Sequence, residues 1–491
     1  MLYNLLMSKI IRKRQKVITI LIVFIVVFIS YLILAHVNSN VFKFIRNNNN
    51  NFDTVFIITV DTLRKDHVSF YGYPYKTTPF IDMISKTGTV FENAYTVSSH
   101  TAPSHTSMFT GLYPSNHGVL RNHDSLANDI YNIKKHFEKN GFKVAGFPAT
   151  NFLEGKISFD SIKDKYNDVV KGKQGWFLTA SQNIERAKAW LTKETSKNDK
   201  IFFWLHLYDA HQWQKRGRMD EKYFKTIDEL KKDNTYYDYQ INKLNIPLEF
   251  YNSKDDLLEK IATYDAKIKM INDTLLDFFQ FIMNKRKGGK FLIILTSDHG
   301  EGLGNHNYDS HGKYLYNEQI KVPLVFWSNT KLIPQKREDS FISSIDLFAT
   351  IVDLVNIPLS SDELKNQDGI SYKDIITNDS NHNLYEKRKF CISERRPKDE
   401  TELRKSWIDG RVNCIVDKKG KYIYNEKGKD EFYDLENDSF ELSNIISDKQ
   451  SLANSYNKKL SYETSKFKSV DIKNQNLTPK EVKELKALGY L

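Results

Sequence analysis

Three short apolar runs, each stopping at an acid or a histidine, constrain this chain more than any other feature. Residues 54–60 (TVFIITV), 201–207 (IFFWLHL) and 290–296 (KFLIILT) are rich in β-branched and aromatic side chains. Such runs suit strands buried on both faces of a parallel sheet. The first is followed by Asp61, the second carries His206 and leads to Asp209, and the third leads to Asp298 and His299. Helical periodicity lies between them, for example at 181–192 and 255–281. Strand–helix alternation predicts an α/β fold. In open α/β sheets, ligands bind beyond the carboxyl ends of the strands, so three separate segments aim Asp and His at one place. One such Asp would ordinarily cap the next helix or turn; three of them, two with a nearby His, predict a site.

The chain has 491 residues, 40% of them hydrophobic and 27% charged, which is enough to bury a core in two to four units. That balance excludes a wholly disordered, collagenous or coiled-coil protein. Two cysteines, Cys391 and Cys414, exclude a disulfide-dense scaffold and a cysteine-based zinc module, and leave one bridge open. The net charge is +11, of which Lys9, Arg12, Lys13, Arg14 and Lys16 supply five, leaving +6 for the remaining 475 residues. No basic stripe with interleaved aromatics follows, which argues against nucleic acid as a partner.

Residues 17–35 (VITILIVFIVVFISYLILA) form a run of 19 without a charge, long enough to span a bilayer as a helix. The basic residues before it predict a cytoplasmic N-terminus and an extracytoplasmic remainder. A cleaved signal peptide is the competing reading; it would have a shorter apolar core and a small-residue cleavage site. The expected organisation is a basic segment at 1–16, a transmembrane helix at 17–36, and a linker at 37–53 that includes an asparagine tract. A catalytic domain at 54–375 and a C-terminal subdomain at 376–491 follow. Residues 212–260 read as an insertion, either shaping the rim of the site or forming a solvated loop. In the C-terminal part, 421–424 and 431–435 read as strands and 479–491 as a short amphipathic helix.

The segment SHTAPSHTSMFTG, residues 99–111, places Pro103 in the first turn of a helix, Thr101 at its N-cap and Gly111 at its end. A hydroxyl there lies at the positive end of the helix dipole beside free backbone N–H groups, suited to an alkoxide and an incoming phosphate or sulfate. The bland alternative is a simple cap. With the Thr101 oxygen, Asp61, Asp298 and His299 make four candidate O and N ligands for one divalent cation, zinc or manganese favoured and calcium allowed. Such an ion activates a nucleophile and polarises an ester oxygen. Arg64 and Lys65 follow Asp61, and His105, His211, His306 and His311 surround this core as candidate groups that bind the anion or act as acids and bases. A second metal would recruit Asp209 with two of His211, His306 and His311.

In VDTLRKDHVSFYGY, TAPSHTSMFTGLYPSNHGV, LHLYDAH, TSDHGEGLGNH with VPLVF, and ELKALGYL at the end, the chain resembles the sulfatase branch of the alkaline phosphatase superfamily. The resemblance runs from about residue 54 to 491 in family order. It implies an α/β sandwich around a mixed, mostly parallel sheet with a smaller C-terminal α+β subdomain. It also implies metal ligands at Asp61, Asp298 and His299, a nucleophile at Thr101, and substrate contacts near His211 and the histidines after SDHG. The departures are specific. Formylglycine-dependent sulfatases carry C-x-P-S-R or S-x-P-x-R where this chain has Thr101-Ala102-Pro103-Ser104-His105, and threonine cannot be converted to formylglycine. The usual Asp-Asp pair is Asp61-Thr62, and FKVAGFPATN stands where a G-K-x-H segment is usual. The expectation is a membrane-anchored, metal-dependent hydrolase or transferase of sulfate or phosphate esters, its anionic substrate linked to lipid or glycan. Phosphodiesterase or phosphoglycerol/phosphoethanolamine-type transfer is one alternative, and a non-catalytic tethered binding protein is another.

Overall fold

A computed structural model describes residues 52–150, 153, 157, 159, 177–378, 388–396 and 410–468. The expected basic segment, apolar run, asparagine tract and terminal helix at 479–491 lie outside the described residues. Among the described residues no helix is long and apolar enough to cross a membrane.

The main sheet has the order β3-β4-β1-β5-β6-β2-β7. Its strands are β1 (Thr54–Val60), β2 (Thr89–Tyr95), β3 (Lys143–Phe147), β4 (Ile201–Leu207), β5 (Phe291–Thr296), β6 (Leu324–Ser328) and β7 (Lys336–Ser343). Strands β3, β4, β1 and β5 are mutually parallel, and β6 runs against both its neighbours, which makes the sheet mixed. Every residue of β1, β4 and β5 is buried, as continuous apolar runs require when helices cover both faces. Thr59 pairs with His206 on one side and Thr296 on the other. The three strands therefore end level, and Asp61, His206 and Asp298 leave one edge.

The helices that matter here are α1 (Pro79–Thr87), α2 (Thr101–Thr110), α3 (Ala180–Lys193), α4 (Lys254–Lys285) and α5 (Asp346–Leu354). A Thr179–Gln182 capping box opens α3, and the Ser253 side chain opens α4. The N-cap of α2 is His100, not Thr101: His100 is extended, its side chain caps nothing, and Thr101 is the first helical residue. The cap comes from outside the local sequence, since the Ala102 N–H donates to Asn122 Oδ1 at 2.9 Å. Gly111, at φ 68°, ends the helix as expected. The stretch 212–260 is built of packed helices, Phe224–Lys232 and Asn234–Asn242 among them, held to α4 by Tyr236 on Asp265 (2.6 Å) and Arg216 on Glu259 (2.6 and 3.0 Å).

A second, antiparallel sheet follows in the order β11-β10-β9-β8, made of β8 (Cys391–Arg395), β9 (Val412–Val416), β10 (Lys421–Asn425) and β11 (Glu431–Tyr433). Helix α6 (Gln450–Thr464) buries Ala453, Tyr456 and Leu460 against it. Cys391 and Cys414 are buried free thiols. Arg388 grips Asp346 at the start of α5 (2.7–2.9 Å), and Lys421 pairs with Glu441 at 2.7 Å, both side chains fully buried.

His306, expected among the groups around the reacting ester, serves this second sheet instead. Its Nδ1 meets Glu318 Oε1 at 2.9 Å, its Nε2 donates to the Glu441 carbonyl at 3.0 Å, and its ring stacks on Tyr316 at 3.6 Å. Burial opposes its charging, but Glu318 overrides burial and lifts its pKa to about 9. The folded value lies above the unfolded one near 6.5, so the stabilisation is complete below about pH 6.5 and is lost as pH rises through 9. At ~1.4 kcal/mol per unit the loss is at most about 3.5 kcal/mol. Chemical denaturation between pH 6 and 9.5 should show this decline in the wild type and a much flatter profile in His306→Asn.

Candidate active site

The edge where β1, β4 and β5 end brings Asp61, Asp298 and His299 together, fully buried, with their ligand atoms within 4.8 Å of one another. Asp61 Oδ1 and Asp298 Oδ2 are buried without a hydrogen-bond partner. Burial and the facing Asp298 push Asp61 well above the ordinary carboxylate range. Burial acts on Asp298 too, but His299, His105 and His206 hold it below that range. Two unsatisfied carboxylate oxygens so close and so dry are destabilising unless a cation lies between them. The residues therefore fit the divalent ion that the sequence implied, and the mixed O and N donor set is compatible with zinc, manganese or calcium.

A second possible ligand group, His105, His206 and Asp298, is also present. Its imidazoles are already committed. His206 Nδ1 accepts from the Ala149 N–H at 3.2 Å, so its Nε2 carries the proton and donates to Asp61 Oδ2 at 3.1 Å. Trp204 Nε1 donates to Thr59 Oγ1 at 2.9 Å, and that hydroxyl donates to His105 Nε2 at 2.9 Å. His105 Nδ1 donates to the Thr101 carbonyl at 2.8 Å. His206 is thus the outer partner that orients Asp61, a candidate ligand. His105 was expected to touch the transferring group; it is a fully buried, neutral support beneath Thr101, its pKa pulled to about 3 by burial.

His299 is oriented the opposite way. Its Nδ1 donates to the Gly300 carbonyl at 2.9 Å, so the Nε2 lone pair faces Thr101 Oγ1 at 3.2 Å. Thr101 is fully buried. Ser104, one turn on, donates to the Asp298 carbonyl at 2.7 Å and ties α2 to the metal-ligand loop. Ser297 does the same between strands, donating to Val60 O at 2.7 Å and accepting from the Leu63 N–H at 3.1 Å.

The usual second aspartate is Thr62. It sits at φ 59°, a left-handed conformation that costs a β-branched residue on the order of 1–2 kcal/mol. Its hydroxyl bonds the Asp61 carbonyl at 2.7 Å and supplies no ligand. Tyr264 on α4 holds the turn: its hydroxyl donates to Thr62 O at 2.6 Å and accepts from the Arg64 N–H at 2.9 Å.

His211 and His311 do reach the cluster. The His311 ring lies 4.3 Å from His299 and 4.9 Å from His211, which stacks on Tyr208 at 4.4 Å. Burial and His299 lower His211 to a pKa of about 3, so it is a neutral hydrogen-bonding group. Glu301, which the sequence reading missed, shares a 3.1 Å hydrogen bond with His311 Nδ1. Asp209 does not join: it accepts from the Ala180 N–H at 2.7 Å at the start of α3, the cap reading. Arg64 is also structural, bidentate on Asp66 and bonded to Asn305 Oδ1 at 2.8 Å, and Lys65 pairs with Glu92. Asn122 was missed as well. Its Oδ1 holds Ala102, which fixes the amide orientation and leaves a buried Nδ2 without a partner at the start of α2. No local signal marks it, because Asn122 lies 20 residues from Ala102.

Strand ends thus converge on a dry pair of carboxylates near a helix-start hydroxyl. The sulfatase family profile matches residues 53–357, and that of the N-sulphoglucosamine sulphohydrolase C-terminal region matches 304–468. The chain belongs to the sulfatase family and is a hydrolase by class. It is 23% identical over 463 residues to an arylsulfatase of Clostridium perfringens, covering 81% of this chain and 90% of that protein. It is 24% identical over 402 residues to an ulvan-active sulfatase of Formosa agariphila, covering 77% and 72%. The phosphonate monoester hydrolase of Agrobacterium radiobacter shares the fold at TM-score 0.64 and 19% identity, over 87% of this chain and 98% of that one.

Neutralising one of the facing carboxylates should stabilise the metal-free protein. Asp61→Asn is expected to raise stability in chelator by roughly 1–3 kcal/mol while abolishing the upward Tm shift that divalent ions give the wild type. Thermal melts with EDTA and with zinc, manganese or calcium test this; an unchanged ion-dependent shift in the variant would exclude the assigned ligand set.

Proposed function

We propose that the chain hydrolyses an ester of sulfuric or phosphoric acid, with Thr101 as covalent nucleophile and one divalent cation held by Asp61, Asp298 and His299. The observation that carries this reading is the 3.2 Å approach of Thr101 Oγ1 to His299 Nε2, whose other nitrogen is fixed as a donor. A divalent cation bound there supplies the positive charge that favours the deprotonated hydroxyl and draws electron density from the ester. The Thr101 hydroxyl proton passes to solvent water as Oγ1 bonds to phosphorus or sulfur; the bond to the leaving oxygen breaks, and that oxygen departs with the electron pair and takes a proton back from solvent. A second water then attacks the same atom and breaks its bond to Oγ1, one water proton returning to Oγ1, which restores the Thr101 hydroxyl and releases the hydrolysed sulfate or phosphate group. His211, His311 and the Asn122 Nδ2 amide are the donors for the transferring oxygens, and the start of α2 favours their negative charge.

A phosphorus centre is the reading that Thr101 itself favours. Formylglycine releases sulfate by hemiacetal breakdown, whereas a threonine ester waits for water or another acceptor. The sulfatase and phosphonate hydrolase likenesses support both chemistries. We read residues 17–35 as a membrane anchor that places this site outside the cytoplasm, on the strength of their length and the basic residues before them.

Turnover of chromogenic sulfate monoester, phosphate monoester and phosphate diester, with each metal in turn, decides the substrate class. Thr101→Ala should be inactive and folded; activity equal to wild type would remove Thr101 as nucleophile. Asn122→Asp keeps the acceptor for the Ala102 N–H but loses the amide donor. It should lower kcat about 100-fold with Tm nearly unchanged, and a wild-type kcat would relegate Asn122 to a cap.

A further inference from the structure

Away from the carboxylate pair the fold holds its electrostatic opposite, a half-buried ammonium without a counter-charge. Lys321 follows the short helix Asn317–Ile320, and its backbone bridges to Tyr95, the last residue of β2. Among the described residues its Nζ has no hydrogen-bond or ion-pair partner, and the Tyr95 ring lies 5.7 Å away. Burial, with Lys65 beside it, pulls its pKa down to about 8.

Lys321 lines a cavity of about 210 Å³ between two parts of the chain. Lys65, Asp66 and Tyr71, from the segment after Asp61, form one side; Leu435 and Phe440, from the segment after β11, form another. Exposed Ser439 stands at its rim.

The charges around this cavity do not balance. Asp66 is taken by Arg64 at 2.6 and 2.9 Å, and Glu318 by His306 at 2.9 Å. Glu441 is paired with Lys421 at 2.7 Å. Glu92 serves two cations at once: Oε2 accepts from Lys65 at 2.9 Å and Oε1 from Arg337 at 2.7 Å. Lys321 has none of these acids to itself, so six cations face four carboxylates. A surplus of positive charge held partly out of water is destabilising until an anion joins it.

We propose that this cavity is a second anion site, in which one inorganic oxyanion, sulfate or phosphate, is held by Lys321 and Lys65. The site does not depend on Thr101 being the nucleophile. Ammonium groups bind such ions as point charges. The cavity is smaller than the about 300–1,000 Å³ of sites for drug-sized ligands, which suits an ion with its waters. The Tyr71 ring, 4.4 Å from Lys65 Nζ, and the Leu435 and Phe440 side chains limit screening by solvent. Glu318 joins the cavity to the metal-ligand loop, because its carbonyl accepts from the Glu301 N–H at 3.1 Å while its side chain holds His306. An ion bound there therefore stabilises the seam between that loop and the second sheet.

The test is an acylation footprint of the full chain in EDTA at about pH 7.5, with N-hydroxysuccinimidyl acetate as reagent and each labelled lysine read by peptide mass spectrometry. Sulfate or phosphate at about 10 mM, with ionic strength held constant by chloride, should slow acylation of Lys321 about fivefold. Lys225, 81% exposed, should label at an unchanged rate. The anion that protects identifies the source. Lys321→Met keeps the apolar stem and removes the charge, and it should lose the Tm rise that the protecting anion gives the wild type in EDTA. Equal acylation of Lys321 with and without both anions, failure of the small reagent to reach Lys321, or a Tm rise that persists in Lys321→Met overturns the site. The footprint is read on the wild type and decides the matter even where the variant fails to fold.

Discussion

The facing pair of Asp61 and Asp298 is the constraint around which the rest of the structure is arranged. Two dry carboxylates repel, and isolated burial of either is costly. The fold brings them together through covalent and hydrogen-bonded ties that side-chain repulsion cannot undo. They are continuations of adjacent parallel strands, β1 and β5, and Ser297 locks those strand ends to each other. His206 donates to Asp61 Oδ2, which leaves Asp61 Oδ1 buried without a hydrogen-bond partner. The result is a site in which burial and the facing carboxylate favour a proton on Asp61, and in which a cation would favour the charged pair.

Around that pair the chain builds supports from distant elements. Helix α4 supplies Tyr264, which holds the left-handed Thr62 turn, and next to it Asp265, which receives Tyr236 and His67. Helix α2 is held at one end by Asn122 and at its first turn by Ser104 on the Asp298 carbonyl. The glycines of the DHGEG loop allow this closeness: a Cβ on Gly300 would stand 1.9 Å from the Glu318 carbonyl oxygen, and one on Gly302 would stand 2.0 Å from that of Tyr308. Glu318 in turn holds His306, so the metal-ligand loop and the docking of the second sheet share one hydrogen-bonded chain.

What was legible in the sequence is what depends on local pattern. The apolar runs give β1, β4 and β5 almost to the residue, and the acids and histidines after them give Asp61, Asp298 and His299, because strand ends are fixed by the chain itself. The histidines were less legible because a histidine's role depends on what its two nitrogens meet. His105 and His306 share a residue type and a neighbourhood of motifs with His211 and His311. Yet one is neutral with both nitrogens bonded beneath Thr101, and the other is lifted by Glu318 far from it. The N-cap was read one residue late because SSHTAPS offers several hydroxyls and the true cap, Asn122, comes from another segment. Asp209, read as a strand-end acid, is taken by a helix start that lies 29 residues earlier.

The two departures from the sulfatase pattern acquire a common meaning in this arrangement. Thr62 in place of an aspartate removes one negative charge from the site, and His105 in place of an arginine removes one positive charge, since its buried ring stays neutral. In a site this dry, two replacements of opposite formal charge offset each other. Made together they preserve the net charge and leave two carboxylates, one imidazole and the Thr101 oxygen at the candidate cation site. His105 keeps the other part of the arginine's position, a donor beneath the nucleophile, through its 2.8 Å bond to the Thr101 carbonyl. The threonine at the proposed nucleophile position thus stands in a site where two replacements of opposite charge occur together, with the candidate ligands still brought to one place by the strand ends.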